Sequence, residues 1–172
     1  MADSNLFTID LVTPERILLS GLAAEVILRT GEGDVTFLAG HAPLVGSVEA
    51  GVVRVVRAEG DEERVAVHGG FVQVEQHVPM SDADGAADSG SGTRVTLLIG
   101  VAELAEEIDT ERARAALDAA EARVAELTGS GGRGPGTPDD EEPDAELLDA
   151  EAALLRAQVR LETVDATSAV GA

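Results

Sequence analysis

The spacing of apolar residues changes once along this chain, near residue 100. Before that point apolar and polar residues alternate between glycine-rich turns, as at Phe7, Ile9 and Leu11. Alternation with a period of two predicts half-buried β-strands. After Asp109 the apolar residues recur every three or four positions, which predicts amphipathic helices. We therefore expect an α+β protein whose strands come first and whose helices come last.

Eight to ten short strands are predicted in the first part of the chain. They include 7–12, 26–28, 35–38, 44–48, 52–57, 65–67, 71–74 and 95–99. Short strands at close spacing, without helices between them, are typical of a β-sandwich or a flattened barrel. Residues 76–93 are mostly small and acidic, and we predict a flexible insertion there within a β domain that spans residues 1–103.

The second part, residues 104–164, is predicted to be an antiparallel helical hairpin, with a disordered tail at 165–172. Asp109 stands where an N-cap is expected. Residues 129–143 are rich in glycine, proline and acidic side chains, which indicates a flexible linker between the helices. The apolar stripe of the first helix consists of Ala113, Leu117, Ala120, Val124 and Leu127. Such alanine-rich faces bury little area, so the hairpin should be weakly held.

The charge of the chain excludes several classes of function. Asp and Glu number 33 against 12 basic residues, a net charge of -21, which argues against a nucleic-acid surface and against a polybasic lipid-binding patch. The absence of cysteine excludes a disulfide scaffold, an iron–sulfur cluster and thiol catalysis. No run of ~18 apolar residues occurs, so we expect no direct membrane insertion.

The histidines do not form a convincing catalytic or metal site. His41, His68 and His77 are scattered, and none has a partner at a metal-ligand spacing. We therefore predict no catalytic residues and no metal, and interpret these histidines as structural or interface residues. A small acidic hydrolase that uses His41 or His68 is an alternative that no other feature supports.

A group of arginines is the most informative charged feature. All twelve cations are arginine, and Arg156 and Arg160 lie four residues apart on one face of the second helix, without acidic residues three or four positions away. Arg112, in the first turn of the first helix, could join them when the hairpin closes. Three guanidinium groups can bind a phosphate chain. Salt bridges between helices or domains explain the same residues equally well, so both interpretations stay open.

Four motifs, in chain order, resemble the ε subunit of bacterial F-type ATP synthases. They are the opening strand at 6–16, Gly31-Glu-Gly-Asp34 followed by Ala39-Gly-His-Ala-Pro-Leu44, Val67-His-Gly-Gly-Phe-Val72, and the junction and helix start at 103–113. The resemblance covers about residues 1–127 and, more loosely, 144–164. It implies an N-terminal ten-stranded β-sandwich followed by a C-terminal two-helix antiparallel hairpin.

The resemblance also implies a function. The chain would be a non-catalytic subunit of the central stalk, with the γ subunit, the c-ring and the α/β catalytic subunits as partners. It would lie peripherally at the cell membrane, on the cytoplasmic side, couple proton translocation to ATP synthesis, and block ATP hydrolysis when its hairpin extends. We interpret Glu32, Asp34 and His41 as the stalk interface; a plain hairpin tip is the alternative interpretation.

Some bacterial ε subunits bind ATP at the hairpin, so the resemblance implies ATP as a regulatory ligand, with no cofactor required. The pattern is Ile-Asp-x-x-Arg-Ala at the first helix and two arginines four apart on the second. The matching residues here are Glu103, Ile108, Asp109, Arg112, Ala113, Arg156 and Arg160. A further basic residue of that pattern would fall near Ala119, so the predicted site is weakened. The alternative function is a stand-alone nucleotide-sensing module built on the hairpin.

Overall fold

The elements occur in the predicted order, with strands before helices. A computed structural model of the chain describes residues 5–76, 91–130 and 145–168. Over these residues the strands are β1 (Phe7–Val12), β2 (Ile17–Thr30), β3 (Gly33–Leu38), β4 (Leu44–Arg57), β5 (Glu62–Gln76), β6 (Thr93–Ile99) and β7 (Ala102–Leu104). A 3₁₀ turn, Ala105–Glu107, precedes the helices α1 (Thr110–Ser130) and α2 (Ala145–Ser168).

The seven strands form one sheet that closes on itself. Its order is β1-β6-β5-β4-β2-β3, and β1 also pairs with β2, which closes a ring of five strands. The β1–β6 pairing is parallel, whereas β1 and β2 are antiparallel. β3 pairs with β2, and β7 pairs with β5, outside the ring. Closure reduces the number of unpaired strand edges and surrounds a core.

The interior of this ring is lined by the apolar residues that the alternation predicts. Phe7, Ile9 and Leu11 of β1 are completely buried, and so are Val95 and Leu97 of β6. The residues between them are more exposed, because successive side chains of a strand point to opposite faces. The period-two prediction for these strands is therefore confirmed.

The predicted strand count was wrong: the described residues form seven strands, not ten, in one closed sheet. Residues 44–48 and 52–57 belong to one strand, β4, and residues 65–67 and 71–74 belong to β5. Gly69 lies between the two halves of β5 with φ +93°, so the strand bends there without ending. A Cβ on Gly70 would clash with the carbonyl oxygen of Leu98, which explains the second glycine.

The chain divides into two compact units, Met1–Glu106 and Glu107–Ala172. The first unit extends to Glu106 because β7 pairs with β5, Val65 opposite Leu104. In the second unit α1 begins as predicted, since the Asp109 carboxylate accepts a hydrogen bond of 3.0 Å from the Arg112 backbone N–H. Arg123 of α1 lies 2.6 Å from Glu146 at the start of α2. The end of α1 therefore meets the beginning of α2, as in an antiparallel hairpin.

The two helices pack through alanine. Ala113 and Ala120 are buried on α1, and Ala150 and Ala157 are buried on α2. Each pair is seven residues apart, and half-buried apolar residues fill the intervening positions of the heptads. These are Leu117, Val124 and Leu127 on α1 and Leu147, Leu154 and Leu161 on α2. We call this set, together with the four alanines, the alanine seam.

Parts of three predicted segments lie outside the described residues. In the predicted insertion at 76–93, Gln76 ends β5 and Thr93 begins β6, and residues 77–90, including His77, are not described. In the predicted linker at 129–143, α1 continues to Ser130, and residues 131–143 are likewise outside the description. In the predicted tail, α2 continues to Ser168, so 165–168 are helical and 169–172 are not described. Neither described helix is long and apolar enough to cross a membrane.

Candidate functional site

The register of the sheet brings residues from distant parts of the sequence into one outward-facing row. Leu98 of β6 lies opposite Phe71 of β5 on one side and Val12 of β1 on the other. Val12 in turn lies opposite Ile17 of β2. Val45 of β4 is two residues from Ser47, which lies opposite Phe71, so Val45 is a diagonal neighbour on the same face. We call Val12, Ile17, Val45, Phe71 and Leu98 the apolar row.

Four of the five side chains of the apolar row are exposed, although Val72 and Leu97, which adjoin the row in the chain, are buried. Phe71 is 59% exposed, Ile17 64%, Val45 74% and Leu98 47%. The chain has only three aromatic residues, all phenylalanine; the other two, Phe7 and Phe37, are in the core. A contiguous apolar surface of this kind on a folded unit is typical of a protein–protein interface. The sequence pattern does not reveal this surface, because its residues come from separate strands and only the register of the sheet aligns them.

A polar cluster borders the row on the same face of β1. Asp10, two residues before Val12, accepts hydrogen bonds from Arg94 and from Ser20, both at 2.6 Å. The Arg94 and Ser20 partners come from β6 and β2, the strands on either side of β1. An apolar centre with a hydrogen-bonded polar edge is the arrangement found in protein–protein interfaces.

The residues predicted for the stalk interface lie at opposite ends of β3. Asp34 is near the start of this strand, where its carboxylate lies 3.0 Å from Nε of Arg29. Glu32 is in the preceding turn, and its N–H donates to the Thr30 hydroxyl at 3.3 Å. His41 follows the other end of β3, which ends at Leu38, and at ~3.3 Å per residue the four steps from Asp34 to Leu38 span about 13 Å. The structure therefore does not bring the three residues together.

His41 is held in a well-defined loop. Its ring centroid lies 4.9 Å from that of Phe37, which is buried, and its N–H donates to the Leu38 carbonyl at 3.1 Å. Its Nδ1 is 2.9 Å from the Ala42 carbonyl oxygen. Because a carbonyl oxygen only accepts, Nδ1 carries the proton, and in the neutral ring Nε2 is left as an acceptor.

Other arginines of the first unit are engaged in ion pairs. Arg54 and Arg64 lie opposite each other on β4 and β5, and Glu62 lies within 2.6 Å of Arg54 and 2.5 Å of Arg64. The pKa of Glu62 is lowered, chiefly by the hydrogen bond from Arg54. The hydrogen bond from Arg64 and the positive charges of both arginines lower this pKa further, whereas burial of the carboxylate raises it. This carboxylate therefore compensates the repulsion between two like charges.

The arginines predicted to bind nucleotide lie near the same level of the hairpin. Arg123 of α1 contacts Glu146 of α2, which fixes one common level of the two antiparallel helices. Arg112 is eleven residues before Arg123, and Ala157 is eleven residues after Glu146, so these two residues also lie at a common level. Arg156 and Arg160 are thus within about one helical turn, 5.4 Å, of the level of Arg112. Arg112 and Arg156 are exposed, and within the described part of the chain no ion pair or side-chain hydrogen bond involves either guanidinium.

The other residues of the predicted nucleotide site form contacts within the fold or belong to the first unit. The Asp109 carboxylate is the N-cap of α1, Ala113 is buried in the alanine seam, and Ile108 is half-buried. Glu103 belongs to β7, opposite Ala66, and therefore to the first unit. His68 is part of β5, and its N–H donates to the Val101 carbonyl at 3.2 Å. Across the ranges that the structure describes, no cluster of side chains is suited to hold a metal ion.

Comparison with known proteins gives consistent matches for both units. The family model of the ATP synthase delta/epsilon chain beta-sandwich domain matches residues 6–78, and that of the long alpha-helix domain matches residues 106–165. The chain is 46% identical over 123 residues to the ATP synthase epsilon chain of Thermobifida fusca, with 70% of this chain and 79% of the relative covered.

The similarity extends over almost the full length of another relative. The ATP synthase epsilon chain of Moorella thermoacetica is 38% identical over 166 residues, with 96% of this chain and 99% of the relative covered. Among solved structures, a chain in the cryo-EM structure of the Euglena gracilis mitochondrial ATP synthase, described as OSCP/F1/c-ring, has a similar fold. Its TM-score is 0.64 at 22% identity, with 98% of this chain and 82% of that chain covered.

Proposed function

The chain belongs to the epsilon-subunit family of F-type ATP synthases, and we propose from this premise that the apolar row docks it onto the γ subunit in the central stalk. Subunits of this family are non-catalytic, and this chain is a non-catalytic stalk subunit of the ATP synthase complex. Its work is therefore mechanical and regulatory, and surfaces that bind partners take the place of an active site.

The exposure of the apolar row is the observation that supports this docking. Its large side chains cost free energy in water, at about 25 cal/mol for each Å² of apolar surface left exposed. A partner that covers Phe71, Leu98 and Ile17 recovers that free energy. The polar cluster around Asp10 supplies a hydrogen-bonded edge. The row spans five strands of a closed sheet, so it is held as a rigid surface that transmits torque.

The other proposed contacts follow from the family. The loop that carries His41 would contact the c-ring, which would locate the chain peripherally at the cell membrane, on the cytoplasmic side, through protein partners alone. In that position the chain couples proton translocation to ATP synthesis. The helical hairpin regulates hydrolysis, permitting it when folded back and blocking it when extended toward the α/β subunits. The alanine seam, with alanine at four of its ten positions, suits a hairpin that must open.

Co-purification of the assembled complex tests the docking surface. Phe71→Asp places a charge in the centre of the row and should reduce recovery of this chain with γ by at least tenfold. Val101→Asp is the matched control, since Val101 is 51% exposed but lies outside the row. Equal recovery of Phe71→Asp and the unmodified chain would overturn the proposal.

The regulatory role needs a separate test. A chain that ends at Glu106 retains the first unit and lacks both helices. In the assembled complex this truncation should raise the rate of ATP hydrolysis. Unchanged hydrolysis, with the truncated chain demonstrably bound, would show that the hairpin is not inhibitory.

Arg112, Arg156 and Arg160 lie at a similar height along the hairpin, and this favours a second proposal, that ATP binds to the hairpin and holds it folded. Guanidinium groups bind phosphate oxygens bidentately, and Arg112 and Arg156 are exposed for this role. Isothermal titration of the full chain with ATP should give heat that Arg156→Ala abolishes. Arg16→Ala, in the first unit, should leave it unchanged. The absence of heat from the unmodified chain would reject ATP binding here.

A further inference from the structure

The Thr93 hydroxyl lies at the centre of a hydrogen-bond cluster that joins three separate segments. It accepts from the Gly40 N–H at 2.8 Å and from Nε2 of Gln76 at 3.0 Å, and lies 3.0 Å from Oγ of Ser91. A hydroxyl oxygen has two lone pairs and one proton. Two lone pairs bound to Gly40 and Gln76 leave the Thr93 proton to point at Ser91, so every bonding position of the hydroxyl is used.

This hydroxyl is buried, which makes its role specific. Thr93 is only 2% exposed, and Thr93 and Thr163 are the buried polar residues of the described chain. A hydroxyl without hydrogen bonds in such a place would be unfavourable by about 1–3 kcal/mol, so the cluster has to form for the fold to tolerate it. Valine would fill the same space but would leave the Gly40 N–H and one Nε2 proton of Gln76 without their acceptor.

The segment held by this cluster is the loop at residues 39–43, which contains His41. Gly40 has φ +81°, a conformation that side chains rarely adopt, so the loop turns sharply at the point where Thr93 holds it. The second Nε2 proton of Gln76 is donated to the His41 carbonyl at 2.7 Å. Thr93 and Gln76 therefore fix the backbone on both sides of the His41 Cα, while Phe37 supports the ring.

We propose that Thr93 and Gln76 are positioning residues that pre-organise the His41 loop for docking to the c-ring of the ATP synthase. The proposal rests on the proposed function, since it assumes that this loop lies in an interface. A loop that is ordered before binding loses less conformational entropy when it binds. With Nδ1 donating to the Ala42 carbonyl, the neutral His41 ring offers Nε2 as an acceptor for a donor group of the partner.

Two measurements on the full chain test the proposal. Thr93→Val should accelerate amide hydrogen exchange at Gly40 and His41 by about tenfold or more, since one lost hydrogen bond of about 1.4 kcal/mol corresponds to that factor. It should also weaken binding to the cognate ATP synthase prepared without this chain by about fivefold to twentyfold. Thr93→Ser keeps the hydroxyl and should restore both properties.

Thr163→Val is the matched control. Thr163 is also buried, and its hydroxyl donates to the Val159 carbonyl of its own helix at 2.7 Å. It should leave exchange at residues 39–43 unchanged. If Thr93→Val fails to fold, Gln76→Met is the second variant, because Gln76 is exposed and its substitution removes the hydrogen bond to the His41 carbonyl. It should likewise accelerate exchange at Gly40 and His41 and weaken binding.

The outcomes separate this proposal from the proposed function. Unchanged exchange in Thr93→Val and Gln76→Met would overturn the positioning role. Faster exchange with unchanged affinity would also overturn it, because the loop would then not lie in the interface. If the unmodified chain itself does not bind the depleted complex, the proposed function fails, whatever the exchange rates are.

Discussion

The two units of this chain bury different kinds of side chain. The first unit encloses phenylalanine, leucine, isoleucine and valine in a closed sheet, with Phe7, Ile9 and Leu97 completely buried. The second unit buries mainly alanine between its helices, at Ala113, Ala120, Ala150 and Ala157. Because free energy of burial scales with apolar area, each seam position contributes less than each sheet position. The packing of the first unit should therefore resist unfolding more strongly than the packing between the two helices.

A truncation in the sheet core should have the largest effect. Leu97→Ala removes a completely buried side chain and should lower the free energy of unfolding of the first unit by about 2–5 kcal/mol, since it leaves a cavity. Urea unfolding measures it. The adjacent Leu98, 47% exposed, is the control, and Leu98→Ala should cost less than about 1 kcal/mol. Similar costs for both variants would refute the assignment of inner and outer faces.

An enlargement of the seam should have an intermediate effect. Ala120→Leu inserts a large side chain between the helices and should destabilise the hairpin by about 1–3 kcal/mol, because the helices must move apart. The neighbouring Ala119 is exposed, so Ala119→Leu should be nearly neutral. Hydrogen exchange within α1 measures the difference. If Ala120→Leu instead stabilised the hairpin, the alanine seam would contain unfilled space. The two units would then differ in how completely their cores are filled, and not only in the size of the buried side chains.

The smallest effect concerns the Arg54–Glu62–Arg64 cluster. The folded state lowers the pKa of Glu62, so its stabilisation is present above the ordinary glutamate pKa and is lost as pH falls through the lowered value. Glu62→Gln should therefore reduce stability at pH 7 by about 1 kcal/mol or less, and should flatten the loss of stability in acid. Urea unfolding at pH 7 and at pH 3 measures it. The exposed turn residue Glu59 is the control, and an equal change in Glu59→Gln would contradict the role assigned to the cluster.

Local patterns predicted much of this fold. Alternation in β1 and β6 identified their buried faces, and the spacing of Ala113, Leu117 and Ala120 identified the face of α1 that packs in the hairpin. The Asp109 N-cap was predicted because it is a local interaction between a side chain and a nearby backbone N–H. The continuity of β5 was not predicted, because a pair of glycines can either end a strand or bend it. The pairing of β5 with β4 and β6 decides that the strand continues.

The candidate sites likewise differ in whether local sequence spacing could indicate them. The arginines of the hairpin were predicted because residues four apart share a helix face whatever the helix packs against. The apolar row was missed, because Val12, Val45, Phe71 and Leu98 are separated by up to 86 residues and are aligned only by strand register. The Thr93 cluster was missed for the same reason, since its hydroxyl joins Gly40 and Gln76.

The sequence by itself determined which residues face inward within each element, where the strands give way to helices, and which family the chain resembles. These depend on periodicity and on local motifs, which act over a few residues. The tertiary structure alone decided that the sheet closes through β1 and β2, that Phe71 lies beside Leu98 on the surface, and that Thr93 holds the His41 loop. Such contacts join residues far apart in the chain, and register and burial select them only when the whole sheet has formed.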